Sequence, residues 1–231
     1  MRITSSILAL GAAAAAAAAT LVFASGTGND TTENHVVGPF ALRITGKTNS
    51  SINGYGWACR AGAAIEGICY ESTLNNSSGS GSAAAYEFYY NYTTIQGYDL
   101  PGSISYVGRY EGEDGVDVEV AGFMYIYPNW ASNVHTALLP PTTQGGTALR
   151  LDYDSALFYM GSLDDDRHWN ATPPSGAGEK GVNVTSFHLC YQWTGGYWRQ
   201  SLAWVSGLDV DVKPQNPSCE PVNLGVEGID S

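Results

Sequence analysis

The segment that most constrains the fold is residues 182–220, VNVTSFHLCYQWTGGYWRQSLAWVSGLDVDVKPQNPSCE. Two apolar runs flank Thr194, Gly195, Gly196 and Tyr197. A Gly-Gly pair between alternating apolar residues predicts a two-residue hairpin turn, because glycine takes positive φ without a steric penalty. With Gly195 and Gly196 as the turn, Trp193 faces Trp198, Tyr191 faces Gln200, Leu189 faces Leu202 and Phe187 faces Trp204. Side chains alternate across a strand, so these residues share one face. That face is expected to be core through Phe187, Leu189, Tyr191, Trp193, Trp198, Leu202 and Trp204. The opposite face carries His188, Cys190 and Gln192 against Ala203, Ser201 and Arg199, and is expected to be mostly polar, with His188 exposed. A one-residue slip would exchange the faces, so the register is well specified. Cys190, on the outer face, is within reach of a returning segment that ends in Cys219.

The N-terminus reads MRITSSILALGAAAAAAAATLVFASG. One basic residue, an apolar stretch and small residues at Ala24 and Ser25 are the layout of a secretory signal peptide. The apolar run is about 17 residues and mostly alanine, short and weakly apolar for a membrane span. The expected organisation is a signal peptide over 1–24, a flexible leader over 25–38 and one domain over 39–231. Loss of Arg2 takes the net charge of −12 to about −13. Nucleic acids and anionic membranes are recognised by lysine and arginine clusters, so neither is an expected partner.

Cys59, Cys69, Cys190 and Cys219 are the cysteines of the chain. In a secreted chain an even number implies disulfides. Of the three possible pairings the sequence-local one is favoured, Cys59–Cys69 with Cys190–Cys219. The His and Cys spacing does not suit zinc, and no cofactor is implied.

Alternation at period two marks strands through PFALRIT, AAYEFYYNY, SISYVGRY, VDVEVAGFMYIY, TALRLDY and SALFYMG. Asn53-Gly54 is a turn signal, and the Gly- and Ala-rich piece between Cys59 and Cys69 reads as a compact loop. LNNSSGSGSAAA, PNWASNVHTALLPPTTQGG and SLDDDRHWNATPPSGAGEKG read as surface connections. Without a helical period after the signal peptide, the predicted class is all-β: a single antiparallel sandwich or jelly-roll-like domain, stapled by disulfides.

The stretch NGYGWACRAGAAIEGICYES, with SLAWVSG and PQNPSCEPVNL, resembles a group of small secreted fungal proteins of unknown function, some of them associated with the cell wall. The resemblance runs from Phe40 to Leu224. It implies a β-rich secreted fold with these same cysteines and brings no catalytic residues with it.

Asn29, Asn49, Asn75, Asn76, Asn91, Asn170 and Asn183 each open an Asn-x-Ser/Thr sequon, while Pro217 excludes Asn216. Asp164, Asp165 and Asp166, with His168 nearby, are consecutive acids whose side chains diverge, unlike the alternating ligands of a calcium loop. They read as a solvated loop, so no metal is expected. A glycosidase needs two carboxyl groups at a set separation. Among the acids, Glu66 and Glu71 are the pair to test, although ordinary surface acids explain them as well. No Gly-x-Ser-x-Gly elbow is present, and His35, His135, His168 and His188 are far apart in sequence. Trp130 and Trp169 sit beside Asn and Asp in long loops, where they are candidates to stack on a glycan. The expected function is that of a secreted, glycosylated, non-catalytic protein, extracellular or associated with the cell wall. The alternatives are a carbohydrate-binding, lectin-like module and a glycoside-active enzyme. Cell-wall glycan is the expected partner.

Overall fold

The structure is a computed structural model that describes residues 31–62, 65–74, 86–111, 117–142, 145–162, 182–207 and 213–228. The expected signal peptide and the sites Asn29, Asn75, Asn76, Asn170, Asp164, Asp165, Asp166, His168 and Trp169 lie outside these residues.

The described chain is antiparallel β-structure with no helix element. The strands are β1 (Thr32–Gly46), β2 (Asn53–Gly62), β3 (Ile65–Glu71), β4 (Phe88–Ile95) and β5 (Tyr98–Asp99). They continue with β6 (Ser103–Glu111), β7 (Asp117–Phe123), β8 (Tyr125–Tyr127), β9 (Val134–Leu139) and β10 (Arg150–Asp152). The last are β11 (Leu157–Ser162), β12 (Val182–Val184), β13 (Phe187–Trp193), β14 (Trp198–Val205) and β15 (Glu220–Gly228). This is the antiparallel, disulfide-stapled all-β domain that the sequence predicts.

The pairings of β1–β2–β3–β14–β13–β15 return to β1, so these strands form a closed circuit. Closure removes exposed edges and leaves a narrow interior. Leu42, Ile44, Ile68, Phe187, Leu189, Leu202, Val222 and Leu224 fill it, each at most 1% exposed. The packing explains Gly56 of β2. Gly54 and Gly56 stand opposite Ile44 and Leu42. A Cβ on Gly56 would meet Ile68 Cγ2 at 3.0 Å and Leu42 Cβ at 3.2 Å. The branched side chains of β1 already occupy that space. Outside the circuit, β4, β6 and β7 extend from the first half of β1, β10 and β11 extend from β15, and β9 lies between β14 and β3 with β8 on it.

Several local expectations are corrected by pairing. Residues 32–37, expected in a loose leader, form the first half of β1 and pair with β4 from Tyr90 to Ile95. Asn53-Gly54 is not a turn. Both residues are paired in β2, and the turn precedes them, closed by Gly46 N donating to Ile52 O at 2.8 Å. The piece between the first two cysteines is a hairpin rather than a compact loop: Trp57 stands opposite Cys69 and Cys59 opposite Gly67. The disulfide crosses it diagonally, with Cα atoms 5.8 Å apart. The connection after Tyr127 contains a strand, β9, and VDVEVAGFMYIY is two strands interrupted at the buried Met124.

The candidate site: an aromatic hairpin end

The hairpin register is the expected one throughout, from Phe187↔Trp204 to Trp193↔Trp198. Cys190 bonds Cys219, with Cα atoms 4.1 Å apart. Near the body of the domain the aromatic face is core. Phe187, Leu189 and Leu202 are 0% exposed, and Phe187 meets the Trp204 ring edge-on, with centroids 5.0 Å apart.

The outer half departs from expectation. Tyr191 is 55% exposed, Trp193 52% and Trp198 59%. They share the core-facing side of the ladder with Leu189 and Leu202, but they reach past the packed interior. Among the described residues, they make ring contacts with one another. Tyr191 and Trp198 stack at 5.8 Å with 19° between planes, and Trp198 meets Trp193 edge-on at 6.0 Å.

The opposite face is buried instead of solvated. His188 is 9% exposed, Cys190 0% and Gln192 7%. Cys190 packs with Val134, Ala203, Val205 and Cys219, so β9 and the returning C-terminal segment cover this side. Ser218 Oγ donates to Tyr191 O at 3.2 Å and accepts from Tyr191 N at 3.0 Å, which fastens that segment to β13. Burial lowers the His188 pKa, and Nδ1 lies 3.0 Å from Ser186 O. Gln192 ties the hairpin to its surroundings. Its Nε2 donates to Ser201 Oγ at 3.0 Å and Leu202 O at 3.3 Å, and its Oε1 accepts from Thr136 Oγ1 at 3.2 Å. At the tip Gly195 has φ 99°, while Gly196 lies so close to Ala61 that a Cβ would be 2.8 Å from its carbonyl oxygen. The first glycine answers a conformational need, the second a steric one.

These constraints hold the tip beside the β8–β9 connection. Tyr127, Trp130, Thr136, Leu138, Trp193 and Thr194 line an open concavity of about 440 Å³. Trp130 is 95% exposed. Its turn is built from local hydrogen bonds: Asn129 Oδ1 accepts from Ala131 N at 3.1 Å, and Asn129 O accepts from Ser132 N at 3.1 Å. Asn129 N donates to His135 Nδ1 at 2.9 Å. An imidazole that accepts at Nδ1 carries its proton on Nε2 when neutral, so the Nε2 contact with Ser206 Oγ is a donation from His135. Such a histidine does not take a proton from Ser206, and the pair is not an activated nucleophile. Asn133 completes the support, accepting from Gln215 N at 2.9 Å and donating to Lys213 O at 3.1 Å.

The other sequence candidates fare differently. Glu66 and Glu71 belong to one continuous strand with an odd separation, so the pleat sends them to opposite faces. They do not form the carboxyl pair of a glycosidase. Glu71 instead accepts from Tyr86 Oη at 2.5 Å. Asp152 caps its own turn, accepting from Ser155 Oγ and Asp154 N, which holds its pKa below the ordinary value. Among the described residues, no group of three or more His, Cys, Asp or Glu side chains is arranged to hold a metal. Of the described sequons, Asn183 is exposed on β12. Asn49 Oδ1 accepts from Ser51 N at 3.1 Å and Ser51 Oγ at 2.6 Å. Asn91 is half-buried in β4, its Nδ2 donating to Ser105 Oγ at 2.7 Å.

Trp130 therefore lines an open concavity, and Trp193, which the sequence pattern assigned to the core, lines it too. The available signal was position: Trp193 and Trp198 form the last pair before a two-residue turn, where a hairpin commonly outruns its sheet. No family model, curated protein or solved structure matches the chain. Among the described residues no helix is long and apolar enough to cross a membrane.

Proposed function

We propose that this is an extracellular protein that acts by binding rather than by catalysis, and that its ligand is carbohydrate. The observation that carries the reading is the concavity between Trp130 and Trp193. Large rigid rings stand in solvent there, and their supports fix them from behind. An indole or phenol face accepts the C–H face of a pyranose, while amides and hydroxyls at the rim serve the sugar hydroxyls. Asn129 and Thr136 supply such groups around the rings.

The signal peptide and the sequons support secretion and glycosylation. Two disulfides are consistent with an oxidising, extracellular location. The resemblance to secreted fungal proteins adds the cell wall as the place where such a ligand is met. A glycoside-active reading has less support, since Glu66 and Glu71 diverge.

The test is a glycan array probed with the secreted protein, followed by calorimetry on the best ligand. Binding is expected, and Trp193→Ala or Trp130→Ala should weaken it at least tenfold. An array without signal, or a signal untouched by both substitutions, overturns the reading.

A further inference from the structure

The described sequons are not equivalent, because the fold turns their amides in different directions. An N-glycan is carried on Asn Nδ2, so that atom must face solvent. We infer that Asn49 and Asn183 carry glycans at one end of the domain, that Asn91 carries none, and that these two glycans leave the aromatic hairpin end bare.

Asn49 lies in the turn between β1 and β2. Its Oδ1 accepts from Ser51 N at 3.1 Å and Ser51 Oγ at 2.6 Å. A backbone N–H can only donate, which fixes that atom as the oxygen. The nitrogen is the other branch of the carboxamide, away from Ser51, and Ser50 and Ser51 beside it are exposed. Asn183 stands opposite Gly161 in the β11–β12 pair. Their neighbours Met160 and Val184 pack against the core, so alternation turns Asn183 outward, and the residue is exposed. A Cβ on Gly161 would meet no described atom within 4 Å, so the surface beside Asn183 is open as well.

Asn91 is the opposite case. β4 lies between β1 and β6, where Asn91 pairs with Val36 on one side and Ser103 on the other. Its Nδ2 donates to Ser105 Oγ at 2.7 Å and lies 3.5 Å from Ser103 O, and both serines are buried. Asn91 also lines an open cleft of about 330 Å³ with Asn34 and Thr93. Its amide nitrogen is turned to the β6 strand instead of into that cleft, so a sugar on Nδ2 would displace the bond to Ser105 or press on Ser103.

The two outward sequons meet at one end of the domain. Thr185, the hydroxyl residue of the Asn183 sequon, accepts from Lys47 Nζ at its carbonyl oxygen and, at 3.1 Å, at Oγ1. Lys47 sits in the same turn as Asn49, and its backbone N donates to Pro221 O at 2.8 Å. Pro221 pairs with His188 at the start of β13. From there β13 runs over Phe187–Trp193, 7 residues, to the tip, a distance of about 20 Å at the usual rise of a strand. Glycans at Asn49 and Asn183 therefore start from the end of the hairpin opposite to Trp193 and Trp198, whose rings stay open to a ligand.

The test is site mapping on the protein secreted from a yeast host. Peptide N-glycosidase in heavy-oxygen water converts each occupied Asn to labelled Asp, which peptide mass spectrometry locates. Label is expected at Asn49 and Asn183 and not at Asn91. An unlabelled Asn49 or Asn183, or a labelled Asn91, overturns the assignment, and this measurement needs no variant to fold. The orientation is read from acrylamide quenching of tryptophan fluorescence in the double variant Asn49→Gln with Asn183→Gln, against the parent. The quenching constant should be unchanged. A rise would show that these glycans cover the aromatic end and would overturn the inference. A native circular dichroism spectrum of the variant guards against misfolding.

Discussion

The two halves of one hairpin carry the same kind of side chain and meet opposite fates. Phe187, Leu189, Leu202 and Trp204 are buried, while Tyr191, Trp193 and Trp198, on the same face of the same two strands, stand in solvent. Their intrinsic apolarity does not differ in the required direction, since Trp and Tyr bury as much area as any residue. What differs is the neighbour. The closed circuit supplies partners for the first half, and the second half stays more than half exposed. Hydrophobic side chains are driven inward only where an inside exists.

The sharpest way to break this comparison is truncation on each side of it. Phe187→Ala should destabilise by about 3–5 kcal/mol, as full deletion of a buried ring does. Trp198→Ala should change stability by no more than roughly 0.5 kcal/mol, as at surface sites. Urea unfolding of both variants measures the contrast. Comparable losses would mean that the outer half is also packed.

Removing the clip behind the hairpin comes next in size. The Cys190–Cys219 bond closes a separation of 29 residues. By the chain-entropy relation it contributes about 3–4 kcal/mol, so Cys190→Ala with Cys219→Ala should lower the melting temperature strongly. The aromatic end should also lose order, because Ser218 and Asn216 hold Tyr191 from that side. A double variant that melts like the parent would show that hydrogen bonds alone fix the hairpin.

Acid provides a smaller perturbation that touches both halves. His188 lies behind the buried half, and His135 supports the turn of Trp130. Burial lowers the pKa of each below 6.5. Above pH 6.5 both the folded and unfolded chains hold these imidazoles neutral, and no cost arises. As pH falls below 6.5 the unfolded chain takes protons first, so stability declines until the lowered folded-state pKa values are passed. For His135 the proton would also oppose Asn129 N–H. Melting temperatures measured from neutral pH to about pH 5 should fall, and His135→Gln should flatten part of the decline. An unchanged slope in His135→Gln would assign the effect elsewhere.

The smallest expected effect is at Gly196. Ala substitution there should cost about 1 kcal/mol, because its Cβ would press on Ala61 O at 2.8 Å. An equal or better melting temperature would show that the tip has room to move away from β2.

Much of this architecture was legible beforehand for a simple reason. Period-two alternation and a Gly-Gly turn are local properties, and they set strand identity and register without reference to distant residues, while the cysteines favour the sequence-local pairing. The register of β13 with β14 and both disulfides were read this way. The turn signal at Asn53-Gly54 misled because a long-range demand outweighed a local preference: Gly54 is needed where β2 passes Glu71 and Ser72 at the end of β3, where a Cβ would lie 2.2 Å from Glu71 O. Likewise, His188 was assigned to solvent because a strand pattern shows that a residue faces away from one core. It does not show that Val134 and Cys219 build a second one there.

The sequence by itself determined that the chain is antiparallel β-structure and that the Trp-rich hairpin pairs in one register, and it favoured the local pairing of the cysteines that the structure shows. Only the tertiary structure decided which of its aromatic rings are core and which are surface. Alternation reports the side of a strand on which a residue lies. Burial depends on whether another part of the chain, hundreds of atoms away, arrives to cover that side. For Phe187 it does, for Trp193 it does not, and Trp193 is left beside Trp130 at the candidate site.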